Sequence, residues 1–194
     1  MKETLLMYLR EQRNAVLWKV DGLPERELRM PRTPTGTNLL GVVKHLAGVE
    51  VEYFGACLGR TWPDPWWDDT VPDEPNADMW ATADETPEQI IERYRSVVAW
   101  ADEGIAGLEL DAPARAEWWR EPDTTLHRLL VHMIAETARH AGHLDILREQ
   151  ADGRRGLLTQ IPNLPDVGED WWPAYVDRLR AIAERGDGDG TSDG

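Results

Sequence analysis

Apolar residues recur at intervals of three and four in four separate stretches of this chain, and no stretch alternates convincingly between apolar and polar residues. The first spacing places apolar side chains on one face of an α-helix, whereas a half-buried strand alternates. The pattern therefore predicts an all-α fold. Helices are predicted from about Lys2 to Gly22, from the N-cap Thr37 to Gly59, from Thr86 to about Leu108, and from Thr124 or Thr125 to Asp152.

The connections between these predicted helices differ in length. The segment from Arg60 to Glu85 is long and rich in Pro, Asp and Trp, whereas the other two connections are moderate. Short links join antiparallel neighbours, and a long link permits a crossover between parallel helices. We therefore expect a four-helix bundle with a long crossover loop between the second and third helices.

The C-terminal region keeps some apolar residues, and a short last helix is predicted from roughly Trp172 to Arg185. A length of 194 residues suits one ordinary domain. We expect a single helical-bundle domain over residues 1–185. The remaining residues, 186–194, read GDGDGTSDG and predict a flexible acidic tail that cannot bury apolar surface.

The acidic balance of the chain limits its expected partners. The chain carries 36 acidic and 21 basic residues, a net charge of −15. This negative charge repels the phosphates of nucleic acid. No apolar run approaches the roughly 18–20 residues that span a bilayer, so neither nucleic acid nor membrane is expected as a partner.

The N-terminus lacks a signal-peptide layout, and the single cysteine, Cys57, cannot form an internal disulfide. These features predict a cytoplasmic protein.

The fourth predicted helix holds four of the five histidines of the chain. His140 interrupts its apolar stripe, and Glu136 lies four residues earlier, about 40° away around the helix axis. Burying a carboxylate and an imidazole together is costly unless something pairs them. A divalent cation would do so, and this spacing is usual for two metal ligands on one helix. A hydrogen-bonded Glu–His pair without a metal is the alternative.

His45 on the second predicted helix is the third candidate ligand. It lies on the flank of the buried stripe, between Val42 and Val49, where a polar ring needs a partner. With Glu136 and His140 it would supply three protein ligands and leave one coordination position open, as catalytic zinc sites do. The alternative interpretation is a core histidine with an ordinary hydrogen-bond partner.

Other residues near these faces have competing interpretations. The spacing also allows a ligand set of Glu136, His140 and His143 on one helix, but we prefer the cross-helix set because one helix rarely supplies enough ligands. His143 is then a candidate to orient a ligand through its ring nitrogen. Glu50 and Glu52 are expected to be surface charges.

Tryptophans are frequent in the connecting segments. Most are expected to anchor the long loops onto the bundle, and a minority to line the mouth of a pocket over the metal. These tryptophans are Trp62, Trp66, Trp67, Trp80, Trp118, Trp119, Trp171 and Trp172.

Two segments resemble motifs of a known superfamily. Lys44–Glu50, followed by Tyr53–Gly55, is similar to the second-helix motif of the DinB-like superfamily. This superfamily comprises four-helix-bundle metalloproteins of the damage-inducible type. The run His132–Glu149 is similar to their fourth-helix motif, in particular that of an actinobacterial branch of unknown function. The resemblance extends to about Gly156 and implies a DinB-like bundle.

The resemblance also implies a metal and an activity. Many members bind metal through three histidines, but the middle position here is Glu136, as in the related mycothiol-dependent maleylpyruvate isomerases, where a His–Glu–His set binds zinc. This implies that His45, Glu136 and His140 hold a divalent ion, Zn²⁺ in the first place and Ni²⁺ or another ion as the alternative.

The implied activity is a metal-dependent thiol S-transferase that presents a low-molecular-weight thiol, such as mycothiol, to an electrophilic small molecule. A cation lowers the pKa of a coordinated thiol, and the thiolate is the nucleophile. The alternatives are a non-catalytic metal-binding bundle, an interaction protein, and a hydrolase in which metal-bound water attacks. A homodimer through a bundle face is also left open.

Overall fold

The computed structural model describes residues 1–64 and 74–186, and most of them are helical. This confirms the all-α class predicted from the spacing of apolar residues. None of the described helices is long and apolar enough to cross a membrane. The helices are α1 (Lys2–Val20), α2 (Glu25–Arg29), α3 (Leu39–Phe54), α4 (Pro87–Ala106), α5 (Leu126–Asp152) and α6 (Trp171–Gly186).

The bundle consists of α1, α3, α4 and α5. Helix α1 packs against α5, and α3 packs against both α4 and α5. Fully buried side chains from all four helices meet in the core, among them Val16, Leu46, Tyr94 and Leu144. The four-helix bundle with a long connection between α3 and α4 is thus confirmed, although residues 65–73 of that connection lie outside the described residues.

Two short elements depart from the sequence-based prediction. Helix α2 has five residues, and a hairpin pairs β1 (Pro113–Arg115) with β2 (Asp123–Thr125) in antiparallel fashion. The sequence pattern gave no indication of strands at these six positions, and the two short strands do not change the all-α class. Three residues are too few for an alternating pattern to be recognised. The hairpin leads directly into α5 and presents the residues between its strands beside the start of that helix.

The start of α3 also needs a correction. Its N-cap is Asn38, whose side chain accepts a hydrogen bond of 2.7 Å from the backbone N–H of Gly41. The predicted cap, Thr37, instead donates its backbone N–H to the hydroxyl of Thr33 at 3.0 Å. Asn caps helices as well as Thr does, so the preceding turn, which engages Thr37, decides between the two residues.

The end of the crossover connection lies directly on α3. A Cβ atom on Gly41 would lie 1.7 Å from the carbonyl oxygen of Met79, so only glycine permits this approach. The Asn38 side-chain amide donates to the same carbonyl oxygen at 3.1 Å. These contacts hold the 3-10 helix Ala77–Met79 against α3, next to the turn of α3 that carries His45.

Helix α3 contains a buried carboxylate where the sequence predicted a surface charge. Glu50 is 1 % exposed and accepts hydrogen bonds of 2.7 and 2.6 Å from the guanidinium of Arg13 on α1. Arg13 also donates to Asp102 on α4 at 2.7 Å. The prediction for Glu50 was wrong because its partner Arg13 lies on another helix, which the periodicity of α3 does not reveal. Glu52 is exposed, as predicted.

The chain forms two compact units, Met1–Pro162 and Asn163–Gly194. The first contains the bundle and the hairpin. The second contains α6, which confirms the predicted last helix; within it the rings of Trp171 and Tyr175 stack with centroids 4.7 Å apart. The single domain over residues 1–185 stays a prediction. Of the predicted acidic tail, Gly186 is the last residue of α6, and residues 187–194 lie outside the described residues.

Candidate metal centre

The three predicted ligands lie together between α3 and α5. One donor atom each from His45, Glu136 and His140 lies within 4.8 Å of the other two. Nε2 of His140 is 3.0 Å from Oε1 of Glu136, and Nε2 of His45 is 3.6 Å from the same oxygen. The structure thus brings together the residues that the sequence singled out. Two imidazoles and a carboxylate are a donor set found in zinc sites, although their role as ligands stays a prediction.

The cluster lies at the boundary between the core and the solvent. The side chain of His140 is 11 % exposed, that of His45 20 % and that of Glu136 26 %. His140 lies on the buried face of α5 with Met133, Thr137 and Leu144. An ion bound here would be covered by the bundle on one side and would remain accessible to a small molecule on the other.

Burial and neighbouring groups shift the pKa values of two of the three donors. Burial lowers the pKa of His140, the neighbouring imidazole of His45 lowers it further, and the Glu136 carboxylate partly opposes both effects. Burial alone would raise the pKa of Glu136, but His140 and hydrogen bonds to His45 and His140 bring that pKa below its ordinary value. A neutral imidazole and an ionised carboxylate are the forms that bind cations.

Sequence reasoning missed one residue of this cluster, Asp78 in the 3-10 turn of the crossover connection. Its Oδ2 lies 2.6 Å from Nδ1 of His45. Because a carboxylate accepts, Nδ1 of His45 donates, and its Nε2 faces Glu136. Histidine ligands commonly donate their second N–H to a carboxylate, which fixes the orientation of the ring. The connection contains six aspartates, and no sequence signal distinguishes Asp78 from the others.

Replacing Asp78 with alanine is expected to weaken Zn²⁺ binding by about 10- to 100-fold, because His45 would lose the group that orients it. The affinity can be measured by competition with a chromophoric chelator. Asp84→Ala is the matched control, since Asp84 is an exposed aspartate of the same connection. Equal zinc affinities of the Asp78 variant and the wild type would contradict the orienting role.

The other predicted site residues lie near the cluster without joining it. The ring of His143 packs edge-on against that of His140, with centroids 5.2 Å apart. The set of three donors found in the described residues contains His45 rather than His143. An orienting role for His143 stays a prediction.

Two of the loop tryptophans lie close to this part of the bundle. Nε1 of Trp118 and Nε1 of Trp119 donate to the hydroxyl of Tyr53 on α3, at 3.2 and 3.3 Å. Trp62 packs edge-on against Trp100 of α4 at 5.3 Å between centroids. These three tryptophans anchor connections to the bundle, as expected. Trp66 and Trp67 lie outside the described residues.

Comparison with known proteins places the chain among related sequences and folds. A family model described as mycothiol-S-transferase matches residues 4–153, which include the three clustered donors and the bundle helices apart from the first two residues of α1. A solved structure of a conserved protein from Enterococcus faecalis is similar, with a TM-score of 0.63 and 16 % identity over 79 % of this chain and 98 % of that chain. This likeness shows a shared fold. No protein of curated function matches the sequence.

Proposed function

The chain belongs to the mycothiol-S-transferase family, and we propose that it is a metal-dependent enzyme that transfers a low-molecular-weight thiol to an electrophile. Mycothiol is the proposed thiol, and His45, Glu136 and His140 are the proposed ligands of a divalent ion. The observation that carries the proposal is the convergence of these donors from two helices to within 4.8 Å.

The donor set limits which ion suits the site. Imidazole and carboxylate ligands are compatible with Zn²⁺ and with Ni²⁺, and we propose Zn²⁺ as the resident ion. A bound ion would lower the pKa of a coordinated thiol and so supply a nucleophilic thiolate. Three protein ligands leave room for that thiol in the coordination shell.

Each residue of the cluster has a separate task in this proposal. Glu136 supplies the only negative charge among the three donors and thereby strengthens the attraction of the site for a divalent cation. His140 is the most buried of the three, so the apolar core behind it keeps water away from that side. Asp78 holds Nε2 of His45 toward the site through the hydrogen bond at Nδ1.

Metal analysis of the untagged protein, followed by conjugation assays, tests this proposal. We expect about one zinc per chain and conjugation of mycothiol to 4-chloro-3-nitrobenzamide above the uncatalysed rate, with weaker activity toward glutathione, cysteine and coenzyme A. Chelation should remove the activity and added Zn²⁺ should restore it.

Two outcomes would overturn the proposal. A protein that retains zinc but conjugates no thiol would be a non-catalytic metal-binding bundle. A protein that conjugates equally well after complete metal removal would be a transferase in which the ion is not the catalyst.

A further inference from the structure

A cavity of about 730 Å³ lies between the hairpin connection and the first turns of α5. This volume is in the range of small-molecule sites, and the cavity is widely open to solvent. Its lining contains aromatic and charged side chains from both segments. The residues that matter here are Trp118, Trp119, Arg120, Glu121, Arg128 and His132.

This cavity adjoins the candidate metal centre along α5. His132 lies four residues before Glu136, and that separation corresponds to about 6 Å along the helix axis, on the same face. Ala135, the residue before Glu136, also lines the cavity. A molecule bound here would therefore lie about one helical turn from the donors that hold the proposed ion.

The aromatic wall of the cavity is held in place by the bundle. Tyr53 accepts hydrogen bonds from both indole N–H groups, and its ring packs against that of His132 with centroids 4.5 Å apart. Trp118 nevertheless remains 51 % exposed. Fixed, partly exposed indole rings are suited to contact a planar ring, because aromatic pairs gain from stacked or edge-on arrangements.

The charges of the lining favour an anion. Arg120 and Arg128 contribute two positive charges against the single negative charge of Glu121, although the whole chain carries a net charge of −15. The Arg128 guanidinium lies over the ring of Trp119, 4.6 Å from its centroid. Stacking uses the face of a guanidinium and leaves its N–H edge to bind a carboxylate.

We propose that this cavity binds the electrophilic acceptor, and that the acceptor is an aromatic compound carrying a carboxylate. The proposal rests on the thiol transfer proposed above. With 4-chloro-3-nitrobenzoate as acceptor, the thiolate sulfur forms a bond to the ring carbon and the carbon–chlorine bond breaks. Chloride leaves with the electron pair, and the thiol proton passes to solvent. The reaction needs no oxidant or reductant.

A matched pair of acceptors tests the proposal on the zinc-loaded protein with mycothiol. 4-Chloro-3-nitrobenzoate and its amide differ in one charge, and each rate is corrected by its uncatalysed rate. In Arg128→Gln we expect the ratio of kcat/KM for the benzoate to that for the amide to fall about tenfold, the loss of one charged hydrogen bond. Arg139→Gln is the control, because Arg139 is an exposed arginine of α5 outside the cavity.

Calorimetry with unreactive 3-nitrobenzoate separates this proposal from the proposed function. If the protein conjugates nothing, but Arg128→Gln binds 3-nitrobenzoate about tenfold more weakly than the wild type, the cavity proposal stands and the transferase proposal fails. If the wild type conjugates the amide, but Arg128→Gln leaves both the benzoate-to-amide ratio and the 3-nitrobenzoate affinity unchanged, the cavity proposal is overturned and the transferase proposal stands.

Discussion

Glu136→Gln is expected to abolish both metal retention and thiol conjugation while leaving the helical content of the protein intact. Glutamine keeps the size of the side chain but removes the only anionic donor of the cluster. Loss of a neighbour that merely orients a ligand costs about 10- to 100-fold in metal affinity, so loss of the charged ligand is expected to cost more. The bundle should persist because its stability comes from the apolar faces of α1, α3, α4 and α5.

Metal content, circular dichroism and thermal unfolding of the same samples check this expectation. A chelator should lower the Tm of the zinc-loaded wild type by an amount set by the free metal concentration, since an ion that binds only the folded state stabilises it. The Tm of the Glu136→Gln variant should change little when the chelator is added. Glu149→Gln, at an exposed position of α5, should behave as the wild type. Normal zinc retention and conjugation by the Glu136 variant would exclude Glu136 as a ligand.

The residues of the candidate site show what can be predicted from one sequence. Glu136 and His140 were predictable because both lie on one helix, where spacing alone determines which side chains share a face. His45 was predictable because a polar ring beside an apolar stripe needs a partner. The DinB-like motifs joined these residues across two helices, which spacing on a single helix does not do.

Asp78 and Glu50 show where such prediction stops. Asp78 is brought to His45 by a tight contact between Gly41 and the backbone of Met79, and this contact joins positions 38 residues apart that share no periodic pattern. Glu50 is paired with Arg13 of another helix. The short hairpin escaped prediction for a different reason, since strands of three residues carry too little pattern. For Asp78 and Glu50 the deciding contact joins residues that are distant in sequence, and for the hairpin the strands themselves are too short to show a pattern.

Breaking the buried ion pair of Glu50 and Arg13 is expected to cause the largest loss of folding stability. Their side chains are 1 % and 3 % exposed, and Glu50→Ala would leave the guanidinium buried with only Asp102 as its acidic partner. Removing one partner of a buried ion pair costs about 3–5 kcal/mol, because the remaining charge is uncompensated. Urea unfolding should show this loss as a lower midpoint with an unchanged slope.

Two further variants separate the cost of an unpaired charge from the worth of the pair. Asp102→Asn should cost about 1 kcal/mol or less, because Asp102 is 40 % exposed and solvent screens its interaction with Arg13. The double variant Arg13→Met/Glu50→Leu should recover most of the stability that Glu50→Ala loses, since apolar residues of similar volume often replace a buried pair without loss. If the double variant is as unstable as Glu50→Ala, the pair itself stabilises the bundle, and the unpaired guanidinium is not the cause. Thiol conjugation should persist in the double variant, because Arg13 and Glu50 are not among the proposed metal ligands.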